Sequence, residues 1–278
     1  MAMSETKTEL LLEIEINRQK LKVDLSNDHY GAFFWKKMAL NEYEPDTTNF
    51  ISTSCSELTD FMNIGAANGA MTLLAATKNS RVRSYEPDPI IFSVLTKNVD
   101  INKHINKRIT IVNAAISNQE YSIKFKKGNN NQILTSIVFT GHENTEANEV
   151  TVLSLLEELE YFHTDMSRTV VLKMDIEGAE WKILNDEKTL QGLAQHKAIM
   201  LLATHPGFYR PFKRITRGLD KFRYAYWKQK NFLESRKTFR LLSKYATVKR
   251  TNLDLVNTDT SFAKLINAGY NEFVLDFK

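Results

Sequence analysis

Three short stretches of the chain carry residues whose types and spacing could do chemistry. The first is "NIGAANG", residues 63–69, a break of small residues between two apolar runs. Gly65 can take a positive φ at no steric cost and lets a ligand approach the main chain. Gly69 stands where a helix would begin, and the free N–H groups of a helix start suit an anion or a polar group. Asn63, Ala66 and Asn68 complete the candidate binding turn. The spacing G-x-x-x-G departs from the G-x-G-x-x-G of dinucleotide sites, which argues against a bound pyrophosphate. The second stretch is "SYEPDP", where Glu86 follows Gly65 by 21 residues. An acid at the end of the next strand is placed to accept both hydroxyls of a ribose, and its two oxygens match a vicinal diol. Pro87 stops that strand, and Asp88 can cap the helix after it.

The third stretch is "VVLKMDIEGAE". Asp175 ends a β-branched apolar run, and Lys173 alternates with it, so the two share a strand face. Glu177 and Glu180 follow, and acids in a first helical turn are stabilised by the helix dipole, which accounts for both without a function. His205 ends the next apolar run, "MLLATH". A neutral imidazole can take the proton of an attacking hydroxyl. If Asp175 and His205 end adjacent strands, His205 is the candidate base with Asp175 beside it. Asp175, Glu177 and His205 could instead supply oxygen and nitrogen to a divalent ion. No tight spacing demands one, and the expectation is a site without metal.

These residues need elements to position them. Residues 10–25 alternate, with Leu12, Ile14 and Ile16 on one face, Leu21, Val23 and Leu25 on another, and a polar turn between: a hairpin. The aromatic run "HYGAFFWKKMALNEYEPDTTNFI" predicts two helical pieces broken at Pro45. Residues 1–56 read as an N-terminal cap. From residue 57 the pattern changes to "LTDFMNI", "GAMTLLAATKN", "RVRSYEP", "DPIIFSVLTKNVDINKH" and "RITIVNAAIS", strand and helix in alternation. That order argues for a doubly wound α/β fold with a parallel sheet. "YSIKF", "ILTSIVF" and "EVTVLSLL" are shorter β-like runs, "TVVLKMDI" and "HKAIMLLATH" buried strands, and the tail reads as helix then strand. The small residues of "NAAIS", Ala115 among them, leave room for a flat ring beside the third strand, although plain packing explains them equally.

The 278 residues carry ordinary globular composition, with 42% hydrophobic and 25% charged residues. A lone cysteine, Cys55, excludes an internal disulfide and fits a reducing, cytoplasmic location. No stretch approaches the roughly 20 apolar residues of a membrane span, and the N-terminus lacks a secretory pattern. Charge is uneven. Residues 210–250 hold 14 Lys and Arg against Asp220 and Glu234, a net of +12. With +4 overall, the remainder carries −8. Ten aromatics interleave with these cations over residues 208–245, Tyr209 beside Arg210 among them. An anionic or nucleotide-linked glycan, a nucleic acid or an anionic membrane surface would each suit such a segment, as would a solvated helix with its aromatics in the core.

"NIGAANG", "YEPDP", "NAAIS" and "LKMDIEGAEWKIL", in that order, resemble the FkbM family of S-adenosylmethionine-dependent methyltransferases over roughly residues 57–206. The resemblance implies a class I, Rossmann-like methyltransferase fold: a mostly parallel seven-stranded sheet with an antiparallel last strand. It implies S-adenosylmethionine held by Asn63, Gly65, Ala66, Asn68, Gly69, Glu86, Pro87, Ala115 and Asp175, with S-adenosylhomocysteine as product. It implies transfer of a methyl group to a hydroxyl of a sugar, glycan or natural product; in that reaction the residue reading makes His205 and Asp175 catalytic and sets Glu177, Tyr209 and Arg210 toward the acceptor. The basic segment, about 207–250, would then be an insertion that binds an acceptor, anionic ones included. One departure stands out: the family has Asp where this chain has Asn63, which keeps an acceptor oxygen and loses the charge. A scaffold without activity is therefore an open alternative. So is RNA ribose 2′-O-methylation using Asp175 and a later lysine such as Lys249, though nucleic acid ranks below a small acceptor.

Overall fold

The computed structural model describes residues 10–26, 28, 30–126, 147–176, 179–205 and 218–278. It divides into two compact units, Met1–Ala114 and Ala115–Lys278.

The first unit opens on the expected hairpin, β1 (Leu11–Ile16) and β2 (Gln19–Asp24), paired antiparallel with Ile14 opposite Leu21. Its two-residue turn, Asn17 and Arg18, has φ of 51° and 61°. Two successive positive φ values match the right-handed twist of the strands they join. The aromatic run forms α1 (Gly31–Ala39) and α2 (Pro45–Ser54), and Pro45 occupies a first-turn position where its missing N–H costs nothing. Then come β3 (Thr59–Ile64), α3 (Ala70–Thr77), β4 (Arg81–Tyr85), α4 (Pro89–Asp100) and β5 (Ile109–Val112). β3, β4 and β5 run parallel, with Asn63 opposite Ser84 and Tyr85 opposite Val112. Every residue of β3 is buried, so its polar members need partners. Asp60 meets Arg81 across the strands, accepting from Nε at 2.9 Å. Asp88 caps α4 as expected, accepting from the amides of Ile90 and Ile91.

Two asparagines, one in α4 and one just past its C-terminus, tie the hairpin to the rest of the unit. Asn102 accepts from the Lys22 amide at 2.9 Å and donates to the Lys22 carbonyl at 2.7 Å. Asn98 accepts from the Asp24 amide at 2.8 Å and donates to the carbonyl of Asn68 at 2.9 Å. Two buried asparagines four residues apart thus satisfy both a strand edge and the glycine turn.

The second unit contains β6 (Ala115–Ser117), β7 (Tyr121–Lys126), β8 (Ala147–Ser154), α5 (Leu155–Phe162), β9 (Thr169–Met174), α6 (Glu180–Leu184), α7 (Glu187–Gln195), β10 (Ile199–Ala203), α8 (Gly218–Leu242), β11 (Ala246–Arg250), α9 (Asp259–Ala268) and β12 (Glu272–Phe277). β9 and β10 are parallel; β12 runs antiparallel to β10 and to β11. With β3, β4 and β5 these make the seven strands of the expected mixed fold, the last of them antiparallel. Val170, Val171, Leu172 and Met174 of β9 are fully buried, each worth about 1.5–3 kcal/mol relative to an exposed side chain.

The run "RITIVNAAIS" is not one strand. β5 stops at Val112, the amide of Ala114 turns back to the Val112 carbonyl at 3.1 Å, and β6 pairs with β8 in a separate three-stranded sheet. Asn113 causes the break: its side-chain amide donates to the carbonyls of Glu86 (2.7 Å) and Pro87 (3.2 Å) instead of continuing a ladder. β11, α5 and α7 carried no expectation. The expected run "ILTSIVF" lies outside the described residues. So does the first part of the basic insertion, up to residue 217. From residue 218 the insertion forms α8 and then β11, with Phe239 of α8 packed on Phe262 and Tyr226 71% exposed. Several of its cations are matched within the unit: Arg236 and Arg240 with Asp259, Lys244 with Glu187, and Lys249 with Asp276. No helix among the described residues is long and apolar enough to cross a membrane.

Candidate functional site

The glycine turn is held by main-chain and side-chain hydrogen bonds together. β3 ends at Ile64, and Gly65 (φ 85°), Ala67 (φ 49°) and Gly69 (φ 92°) all take left-handed conformations. The amides of Gly65 and Ala66 both donate to the Tyr85 carbonyl, at 3.1 and 2.9 Å, which clips the turn to the end of β4. At Gly69 the φ itself favours glycine, and a Cβ would meet Leu95 Cδ1 at 2.7 Å, so that side chain would have to shift as well. Ala66 turns its methyl inward against Leu95 and Val99. Asn68 locks the turn: its Oδ1 accepts from the Ala70 amide at 3.3 Å, and its Nδ2 donates to Asp28 at 3.4 Å. The same Asp28 oxygen accepts from the Trp35 indole.

Glu86 sits against this turn, 7% exposed. Its Oε2 accepts from the Ala67 amide at 2.9 Å, and its Oε1 accepts from the Asp88 amide at 3.0 Å. The sequence brought Gly65, Ala66, Asn68, Gly69, Glu86 and Pro87 to one place, and the structure has them there. Asn63 is the penultimate residue of β3 and is fully buried. Its Nδ2 donates to Thr72 at 3.0 Å, Thr72 meets Ser84 at 2.8 Å, and its Oδ1 is a buried acceptor with no partner among the described residues. An acceptor left this way costs about 1–3 kcal/mol unless a donor completes it. A left-handed turn, a clipped carboxylate and an uncompleted acceptor fit a nucleoside with an adjoining cationic group.

The second unit holds a different cluster. Asp175 follows β9 and His205 follows the parallel neighbour β10, one residue beyond Thr204. Lys173 Nζ lies 3.0 Å from Asp175 Oδ2, as their shared face required. His205 Nε2 lies 3.4 Å from Asp175 Oδ1, and His205 Nδ1 lies 3.1 Å from Glu180 Oε1. Burial pushes the Asp175 carboxyl up, but the Lys173 ammonium and His205 outweigh it and hold the group below the usual carboxylate range. Glu180 is fully buried at the start of α6, where its Oε1 also accepts from the Ile176 amide at 3.1 Å. Sequence reasoning gave Glu180 only to the helix dipole. Its spacing of five from Asp175 was a weak signal, because nothing local says that it turns inward.

Ligand atoms of Asp175, Glu180 and His205 lie within 4.8 Å of one another, a spacing that could hold a metal ion. The imidazole, however, offers a different nitrogen to each acid, and a single ion can take only one. Ala115, expected beside the ligand, packs its methyl with Val150 and Val152 in the core of the three-stranded sheet. Glu177, Tyr209 and Arg210 lie outside the described residues. Besides Glu180, the sequence left unmarked Asp28, Asn98 and Asn113, which hold the turn and the end of β4.

The sequence matches the family described as Methyltransferase FkbM domain over residues 63–254. Among solved structures, it is similar to methyltransferase FkbM from Methylobacillus flagellatus KT, at 17% identity and a TM-score of 0.43, covering 80% of this chain and 44% of that one. It is similar to the O-methyltransferase from Bacillus cereus in complex with SAH, at 10% identity and a TM-score of 0.41, covering 88% and 86%. The precorrin-6y C5,15-methyltransferase from Geobacter metallireducens GS-15 gives 11% identity and 0.34, covering 73% and 70%. This chain therefore spans less than half the length of the Methylobacillus protein. No curated protein matches it.

Proposed function

The chain belongs to the FkbM family of S-adenosylmethionine-dependent methyltransferases, and from that premise we propose that it methylates a hydroxyl of a sugar, glycan or other small natural product. The observation that carries the reading is Glu86, a carboxylate clipped to the glycine turn through the Ala67 amide. Glu86 accepts from the ribose hydroxyls, the Gly65–Gly69 turn lets the nucleoside lie against bare main chain, and Asn63 Oδ1 accepts from the cationic amino-acid end. Bound S-adenosylmethionine supplies a methyl group already activated by a sulfonium.

His205 and Asp175 serve the acceptor. An alcohol becomes a competent nucleophile as it loses its proton, and a placed base supplies about 10²–10⁴-fold. His205 Nε2 takes that proton while the new oxygen–methyl bond forms and the sulfur–methyl bond breaks. Asp175, anchored by Lys173, keeps negative charge beside the ring. The exposed residues of α8, Tyr226 first among them, extend the surface that meets the acceptor.

Incubation with S-adenosylmethionine labelled at its methyl group and a panel of sugars, glycans, polyhydroxylated natural products and capped RNA tests this reading. Label on a small-molecule or glycan hydroxyl is expected. Label only in RNA ribose would replace the acceptor class. Calorimetry without any cofactor binding would remove the enzyme reading and leave a scaffold.

A further inference from the structure

The structure assigns Glu180 as the positioning residue that holds His205 in the Nδ1–H tautomer, leaving Nε2 as the nitrogen that accepts a proton. The assignment rests on the base role given to His205 above, and three observations carry it. First, the two carboxylate contacts of the ring are unequal. Nδ1 lies 3.1 Å from Glu180 Oε1 in hydrogen-bonding geometry, whereas Nε2 lies 3.4 Å from Asp175 Oδ1, beyond the 2.7–3.2 Å of an ordinary N–H···O bond. Second, Glu180 Oε1 already accepts from the Ile176 amide at 3.1 Å. With the Ile176 amide already donating to it, this oxygen is placed to accept from the ring as well, and the assignment gives the proton between them to Nδ1. A neutral imidazole carries one proton, and Nε2 then holds the lone pair. Third, Glu180 is fully buried, while the side chains of Asp175 and His205 are 26% and 20% exposed. An acid kept only for the helix dipole has no reason to leave water, and this one faces the ring.

The charge pattern agrees. Lys173, Asp175 and Glu180 sum to −1 with a neutral ring beside them and to zero once Nε2 is protonated. The proton released in methyl transfer has a neutralised place to go, with Glu180 and Asp175 on the two sides of the imidazolium. Glu180 faces Nδ1 of the ring, not the proton-accepting Nε2. It acts through His205, in the way an orienting carboxylate fixes the tautomer of a catalytic histidine.

The test reads the tautomer directly. In ¹⁵N-labelled full-length protein, with the His205 signals identified by their loss in His205→Ala, Nε2 is expected to resonate as a lone-pair nitrogen and Nδ1 as a protonated one. Glu180→Gln keeps the volume and withdraws the charge. It is expected to mix the tautomers, lower kcat about 10–10²-fold at unchanged cofactor KM, and move the acid limb of the kcat profile to lower pH. A wild-type ring protonated on Nε2 overturns the assignment, as does a folded Glu180→Gln protein with native tautomer, kcat and pH profile. A variant that melts early with its tautomer unchanged assigns Glu180 to stability and overturns it as well. If Glu180→Gln does not fold, the wild-type spectrum still decides. Because the tautomer is read without turnover, failure to find any methyl transfer would count against the base role of His205 and not be confused with this result.

Discussion

The glycine turn and the imidazole cluster are both held by carboxylates, but in opposite ways. Glu86 is gripped by two main-chain amides from segments within 20 residues of it in sequence. His205 is gripped by two acidic side chains, one 25 and one 30 residues earlier in the chain. A main-chain grip fixes a shape and tolerates change in neighbouring side chains. A side-chain grip fixes a protonation pattern and fails when any one member changes. The first suits a binding site, where the ligand needs a constant frame. The second suits proton handling, where the charge of each group matters.

If this contrast holds, damage to one region should spare the task of the other. The largest effect is expected from His205→Ala, with turnover falling about 10²-fold while calorimetry gives an unchanged cofactor dissociation constant. Full turnover would retire the base and remove the contrast. Next is Glu86→Ala, expected to weaken cofactor binding tenfold or more, about 1.5–3 kcal/mol for a lost charge-assisted contact. It also strips the Ala67 and Asp88 amides of their acceptor, so part of the loss comes from a loosened turn. A dissociation constant equal to wild type would take the ribose role from Glu86. The smallest effect sharpens the comparison at its one irregular point. Asn63→Asp adds charge where an uncompleted acceptor now sits, and is expected to tighten cofactor binding a few-fold while lowering the melting temperature of the cofactor-free protein. Looser binding would show that Asn63 faces no cationic group.

The readability of the two regions differs for the same reason. "NIGAANG" and "YEPDP" disclosed a turn and its acid because positive φ values demand small residues and a strand-ending proline fixes the acid before it. Asp175 and His205 were legible as ends of apolar runs. Lys173 was placed by strand alternation, and its 3.0 Å contact with Asp175 agrees. Asn113 was not legible, because an asparagine inside a β-branched run reads as strand until its side chain is seen to take the carbonyls of Glu86 and Pro87. The same holds for Asn98 in α4 and Asn102 just past it, whose partners lie more than 70 residues earlier in the hairpin.

The sequence by itself determined the alternation of strands and helices, the left-handed turn after β3 and the acid that follows β4, because each depends on backbone conformation within a few residues. Only the tertiary structure decided that Glu180 turns inward to His205, that Asn63 is left with an uncompleted oxygen, and that β6 leaves the line of β5 for another sheet. Those outcomes depend on which distant groups compete for the same hydrogen bonds, and the competition is settled when the chain packs.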